Sequence, residues 1–212
     1  MFFEDLIEHL TKRLSGPLPG LSAHLKMASP SRLKWLMEGM NWSKAKRSGV
    51  LILLYPDVGI TKIVLIQRPD YEGMHGGQVS LPGGKREESD TDLVDTALRE
   101  TQEELGIPSH SVHVIGKLSE LYIPPSNYLV LPVVGFTPDR PSFKPDPIEV
   151  KEIIEVDIDQ LFDPHFRTIK EIRVKGFTLS APCYTVNGAM IWGATAMILA
   201  ELAEVISPRS HT

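Results

Sequence analysis

The sequence predicts an α/β sandwich, a mixed β-sheet held between two layers of helix, on three observations. Apolar residues recur at helical spacing near both ends of the chain and in a central segment that closes on a cluster of acids. Runs rich in β-branched residues fill the intervals. A short strand passes through Pro82-Gly83-Gly84 into the central helix, the alternation of strand and helix that layered α/β folds require. The chain has 212 residues, 42% apolar and 23% charged. That is enough to bury a sizeable core, and it is read as one domain over residues 1–212, with residues 1–45 a helical extension packed on it.

In order, Phe2, Phe3, Leu6, Ile7, Leu10 and Leu14 alternate with charges and predict an amphipathic helix over 3–14. Gly16, Pro17, Pro19 and Gly20 interrupt it, and residues 25–40 are irregular or short helical structure. Residues 49–55 and 62–67 form a hairpin around a turn at 56–59, and 78–81 is a short strand. Ser89 and Asp90 then mark the start of a helix that Gly106 stops. Strands are expected at 112–122 and 128–136, around the turn at 124–127. A surface loop covers 138–147, and 149–158 is again a strand. Residues 166–174 and 177–184 pair through Lys175-Gly176. The last segment, 190–206, carries Ile191, Ala194, Thr195, Ile198, Leu202, Val205 and Ile206 at helical spacing and is the second large packing helix. There is no internal repeat and no low-complexity segment.

The net charge of −5 argues against a protein that grips nucleic acid by neutralising many phosphates. A phosphorylated small molecule remains compatible with it, because a metal ion supplies positive charge locally. Cys183 is the only cysteine, so no internal disulfide can form, which fits a reducing cytosol. The N-terminus lacks the uncharged stretch of a signal peptide, and no apolar run is long enough to span a bilayer. The expectation is a cytoplasmic protein without membrane or nucleic-acid partners.

The chemistry concentrates at the end of the central helix. Leu93, Val94, Ala97, Leu98, Thr101 and Leu105 share one arc, and Glu100, Glu103 and Glu104 share the next. Three like charges at i, i+3 and i+4 destabilise a helix unless a cation sits among them. A hard divalent cation, bound by a few carboxylates and substrate phosphates, answers that need. The glycines before the helix admit a close approach of backbone carbonyl or amide to metal or phosphate, which a Cβ would obstruct.

Residues 83–107 resemble the Nudix box, Gx5Ex7REUxEExGU with U a bulky apolar residue. Arg99, Glu100, Glu103, Glu104, Gly106 and Ile107 match its second half, with Thr101 at the first apolar position. In the first half Asp90 stands for Glu, and eight residues rather than seven separate it from Arg99. That longer form is associated with the coenzyme A pyrophosphatase branch. The resemblance implies a Nudix-type α/β/α sandwich and an Mg²⁺- or Mn²⁺-dependent pyrophosphohydrolase. It implies Glu100, Glu103 and Glu104 as catalytic, metal-facing acids, the Gly83 carbonyl as a further ligand, and Arg99 as the partner of Asp90. The general base is left between Glu100 and a later acid, Glu149 or Glu152. Superfamily members are often dimers, so a homodimer is expected without any residue that derives it.

Upstream, Arg68, His75, Gly77, Val79 and Pro82-Gly83-Gly84 fall at the offsets of the coenzyme A pyrophosphatase signature LLTxRSxxLRxHxGxVxFPGG. Ile66, Pro69, Glu72, Gly73 and Leu81 depart from it. Arg68, His75 and Gly84 are the substrate-binding candidates, Arg68 because a guanidinium suits bidentate phosphate recognition. Residues 190–196 resemble the IWGxTA helix of the same branch, in which Trp192 either stacks on a base or fills the core, its spacing favouring the core. The implied substrate is coenzyme A or an acyl derivative, cleaved to 3′,5′-ADP and a 4′-phosphopantetheine. ADP-ribose, NADH or a dinucleoside polyphosphate, and a non-catalytic nucleotide-binding module, are the alternatives.

Overall fold

The structure is a computed structural model that describes residues 2–37, 42–70, 76–174 and 177–207. Its elements are α1 (Phe3–Leu14), α2 (Leu21–Leu25), α3 (Pro30–Met37), β1 (Lys46–Asp57), β2 (Ile60–Gln67), β3 (Val79–Ser80), β4 (Gly83–Lys85), α4 (Leu93–Leu105), β5 (His113–Lys117), β6 (Leu121–Ile123), β7 (Tyr128–Phe136), β8 (Glu152–Asp157), β9 (Arg167–Val174), β10 (Phe177–Val186), β11 (Ala189–Trp192) and α5 (Gly193–Ile206). A mixed sheet runs β3-β2-β1-β7-β5, with β4 on β1, β6 on β7 and β8 on β2. Only the β1–β7 pairing is parallel among the described strands.

Strand β1 explains why there are helices on both faces. Leu51, Ile52, Leu53, Leu54 and Tyr55 are all fully buried, so its alternating side chains need cover on each side. Leu51, Leu53 and Tyr55 join Ala97 and Leu105 of α4 in one core. Ile52 and Leu54 join Leu6 and Leu10 of α1 and Ala196, Leu199 and Leu202 of α5 in the other. The mixed sheet between helices is therefore as the sequence predicts.

The differences are local. A second sheet, β11-β10-β9, stands outside the main one. Residues 190–192, expected in the last helix, belong to β11, because Asn187 (φ 51°) and Gly188 (φ 82°) turn the chain back and register Val186 opposite Ala189. The expected strand 112–122 divides at residues 118–120 into β5 and β6, both paired with β7, and β5 carries a bulge between Val114 and Gly116. The helix start is also displaced: Asp92 caps α4 by accepting from the amides of Val94 (2.7 Å) and Asp95 (2.9 Å). The Lys175-Gly176 turn lies outside the described residues.

Residues 2–33 pack on the remainder through α1 and α2. Glu201 of α5 is fully buried and accepts from His24 Nε2 (2.8 Å), the Gly20 amide (2.9 Å) and Ser119 Oγ (2.7 Å). Burial pushes its carboxyl up, and the hydrogen bonds from His24, Ser119 and Gly20 outweigh this and hold it below its ordinary value. Among the described residues, no helix is long and apolar enough to cross a membrane.

Candidate active site

Two glycine contacts bring α4 down onto β1 and β4. A Cβ on Gly49 would lie 2.2 Å from the Leu93 carbonyl oxygen, so the start of the helix sits against bare backbone. Gly83 has φ +139° and its Cβ would lie 2.4 Å from the Gly49 oxygen, so no side chain fits between the two strands there. This close approach buries Glu104, 1% exposed, with its Oε2 accepting from the Gly83 amide at 2.8 Å. Arg68, just past β2, places Nη2 3.6 Å from Glu104 Oε1 and donates it to the Gly83 carbonyl at 3.3 Å.

Arg99 organises the neighbouring acids. Its Nε and Nη2 donate to Asp90 at 2.8 and 3.1 Å, Nη2 also to Glu100 (3.0 Å) and the Lys85 carbonyl (3.2 Å), and Nη1 to Glu103 (2.8 Å). Asp90 also accepts from Thr96 Oγ1 and the Glu87 amide, both at 2.8 Å. Arg99 and these bonds hold the Asp90 carboxyl well below the usual carboxylate range, although Asp90 is only 4% exposed. The pairing therefore fixes the loop before α4 to the helix end.

Glu149 arrives from a turn before β8. Carboxylate oxygens of Glu100, Glu104 and Glu149 lie within 4.8 Å of one another. Burial pushes the Glu104 carboxyl up to about 7, with Glu100 and Glu149 adding to the rise while the Gly83 amide and Arg68 oppose it. Burial raises Glu100 as well.

The NUDIX domain profile matches residues 45–173, more than half of the chain and the whole of this acidic site. The chain belongs to the Nudix hydrolase family. It is 35% identical over 145 residues to the uncharacterized Nudix hydrolase NudL of Yersinia pestis (strain Pestoides F), covering 68% of this chain and 72% of that one. The same values hold for NudL of Yersinia pseudotuberculosis serotype O:1b (strain IP 31758). In fold it is similar to the Nudix hydrolase RenU of M. smegmatis, with a TM-score of 0.54 and 20% identity over 76% of this chain and 85% of that one.

The Nudix cluster fits a hard divalent cation by donor chemistry. It offers oxygen ligands only, at mutual distances one ion can span, and one of its acids is buried where ionisation is costly without a counter-charge. Of the sequence candidates, Glu100 and Glu104 converge, while Gly83, Gly84 and Arg68 border them. A Cβ on Gly84 would fall 2.4 Å from the Glu100 carboxyl carbon. Glu103 stands outside the cluster, exposed and bound to Arg99. Glu149, one of the two later acids considered as general base, joins the cluster from 45 positions beyond Glu104 in sequence. Glu152 begins β8, exposed and opposite Gln67. His75 lies outside the described residues.

Beside Gly83 and Gly84 opens a cavity of about 450 Å³ that reaches Met27 and Arg32 of the N-terminal segment and Ile198 of α5. Trp192, expected to fill the core, is half-buried and lines this cavity.

Proposed function

We propose that the protein is a divalent-metal pyrophosphohydrolase that cleaves the diphosphate of coenzyme A or an acyl derivative, releasing 3′,5′-ADP and a 4′-phosphopantetheine. The observation that carries the reaction is the convergence of Glu100, Glu104 and Glu149 beside the Gly83-Gly84 backbone. When bound there, Mg²⁺ or Mn²⁺ supplies charge neutralisation for the phosphoryl oxygens and acidifies an attacking water. Glu100 and Glu104 would hold the cation, with Glu103 and the Gly83 carbonyl as further proposed ligands.

The chain's own groups do the rest. Arg68 orients a phosphate, with His75 and the bare backbone at Gly84 as further contacts. Glu149, at the solvent side of the cluster, accepts the proton of the attacking water. Oxygen then bonds to one phosphorus as the bridging P–O bond breaks. Arg99, clamped on Asp90, positions Glu100 and Glu103. The longer interval from Asp90 to Arg99 and the cavity beside Gly84, which reaches Arg32 and Ile198, support coenzyme A.

Residues 1–45 belong to the same functional domain, supported by the burial of Leu6, Leu10 and His24 against α5. A cytoplasmic enzyme that acts on a small molecule, as monomer or homodimer, completes the reading.

The test is product identification by mass spectrometry after incubation with Mg²⁺ or Mn²⁺ and a mixture of coenzyme A, ADP-ribose, NADH and diadenosine polyphosphates. Formation of 4′-phosphopantetheine is expected. Hydrolysis confined to ADP-ribose or a dinucleotide would replace the coenzyme A assignment, a reading favoured by Ile66, Gly73 and Leu81, which depart from the coenzyme A signature. No turnover of any diphosphate would leave a nucleotide-binding module.

A further inference from the structure

Two residues that line the cavity beside Gly84 carry a buried polar atom without a hydrogen-bond partner among the described residues, Nε of Arg32 and Oγ of Ser80. Arg32 is 8% exposed, and its Nη2 donates to the Tyr122 backbone carbonyl. Burial lowers its pKa from the ordinary value, and no carboxylate pairs with it among the described residues. A buried guanidinium with an idle N–H costs free energy until an acceptor reaches it. The cavity supplies no carboxylate to it, because no Asp or Glu lines it among the described residues; its charged members are Arg32, Arg68 and Lys85. A site that offers donors and apolar walls selects a ligand that offers oxygen acceptors on a slim apolar chain.

Strand register sets the reach of that ligand. Tyr122 of β6 stands opposite Leu129 of β7, Leu129 opposite Arg47 of β1, and the Arg47 carbonyl accepts from the Arg86 amide at the end of β4. Three strand spacings, roughly 14 Å, therefore separate the carbonyl that holds Arg32 from the strand that carries Gly83 and Gly84. An extended chain advances about 1.1–1.2 Å per bond, so the gap corresponds to roughly nine to thirteen bonds once the Arg32 side chain reaches inward.

On the reading of this site as a diphosphate hydrolase, we infer that Arg32 anchors a carbonyl oxygen on the arm that the substrate carries beyond its diphosphate. The N-terminal segment then sets specificity. The diphosphate sits at Gly83-Gly84 and the acids, Arg68 and Lys85 stand at the mouth, and the arm runs between the strands and α5 to Arg32. In coenzyme A the arm is the phosphopantetheine chain, whose outer amide carbonyl, roughly nine bonds from the phosphorus, lies in this range.

The experiment compares wild type, Arg32→Ala and Arg32→Lys on coenzyme A, on dephospho-coenzyme A and on the methyl ester of ADP, which has a diphosphate and no arm. Arg32→Ala is expected to lower kcat/KM about 10–100-fold on both coenzyme A forms, chiefly through KM, and to leave the methyl ester within about twofold. Arg32→Lys retains charge without the Nε donor and should recover only part of the loss. An equal loss on the methyl ester, or none on any substrate, overturns the inference. So does an effect that vanishes on dephospho-coenzyme A, since Arg32 would then read the nucleotide 3′-phosphate. Should Arg32→Ala fail to fold, Arg32→Lys decides by the same comparison, with about a 3–10-fold loss expected on the arm-bearing substrates alone. A wild type that cleaves ADP-ribose and not coenzyme A overturns the coenzyme A assignment only; the same variants on ADP-ribose against the methyl ester then decide the role of Arg32.

Discussion

Gly84 and Glu100 are in such close approach that a Cβ on the glycine would lie 2.4 Å from the carboxyl carbon and 2.4 Å from Oε2. The obstacle is the free end of a flexible side chain, so an added methyl can be accommodated by turning Glu100 aside. The fold survives, and the carboxylate leaves its neighbours. Gly83 is the opposite case: its Cβ would meet the Gly49 carbonyl oxygen at 2.4 Å and Val50 Cα at 2.5 Å, at φ +139°. Gly84→Ala is therefore expected to lower kcat by about 10²-fold with little change in urea midpoint. Gly83→Ala should cost about 2–3 kcal/mol of stability. Equal destabilisation by the two substitutions would show that Glu100 cannot move aside.

The buried Glu104 makes the stability of the metal-free protein depend on pH. Its folded-state pKa is raised from 4.5 to about 7. Between these values the folded state binds a proton that the unfolded chain has released, so stability falls as pH rises from about 4.5 through 7 and levels off above. Urea titrations in chelator at pH 5 and pH 8 should differ by about 1–3 kcal/mol, the acidic sample being the more stable. Glu104→Gln should remove most of this slope and lower turnover at least about 10²-fold. Mg²⁺ should stabilise the wild type more at pH 8 than at pH 6, because it requires the ionised carboxylate. A slope unchanged by Glu104→Gln would assign it to another group.

Glu149 and Glu152 lie three positions apart and are both exposed, yet only Glu149 joins the carboxylate cluster. Glu149→Gln is expected to reduce kcat about 10²–10³-fold, with KM nearly constant. Glu152→Gln should stay within about twofold of wild type. Steady-state kinetics at saturating Mg²⁺ check both, and a larger loss for Glu152→Gln would move proton transfer to the edge of β8.

How much of this was legible in the chain depends on whether the signal was local. Helix α4 was readable because its apolar arc, its acids and Gly106 all occur within about four turns, and Gly106 indeed takes φ 70° at the helix end. The pairing of β1 with β2 was readable for the same reason. The start of α4 was misplaced by two residues, because both Asp90 and Asp92 satisfy the rule for a cap and only tertiary contact sends Asp90 to Arg99. Strand β11 was hidden in the periodicity of α5, although Asn187-Gly188 is a hairpin signal that predicts it. Glu149 was readable only as one of two later acids, and its choice over Glu152, like the arrival of Arg32, depends on packing that no spacing along the chain encodes. Glu201 was equally invisible, a lone acid in an apolar helix whose partners lie at Gly20, His24 and Ser119.

That last network yields a test of how the N-terminal segment is held. Glu201→Ala would leave the Gly20 amide, Ser119 and the His24 ring buried with fewer acceptors, the costly way to break a buried polar cluster. A loss of about 3–5 kcal/mol is expected. For a chain of this size that corresponds to a fall in Tm of roughly 6–20 °C. Glu201→Gln keeps an acceptor for Ser119 and Gly20 and should lose less. Because α2 carries His24 and leads into the segment that bears Arg32, hydrogen exchange over residues 17–33 should rise in Glu201→Ala before exchange in β1 does. Unchanged exchange there, with a lowered Tm, would mean that α1 rather than the Glu201 cluster secures the segment.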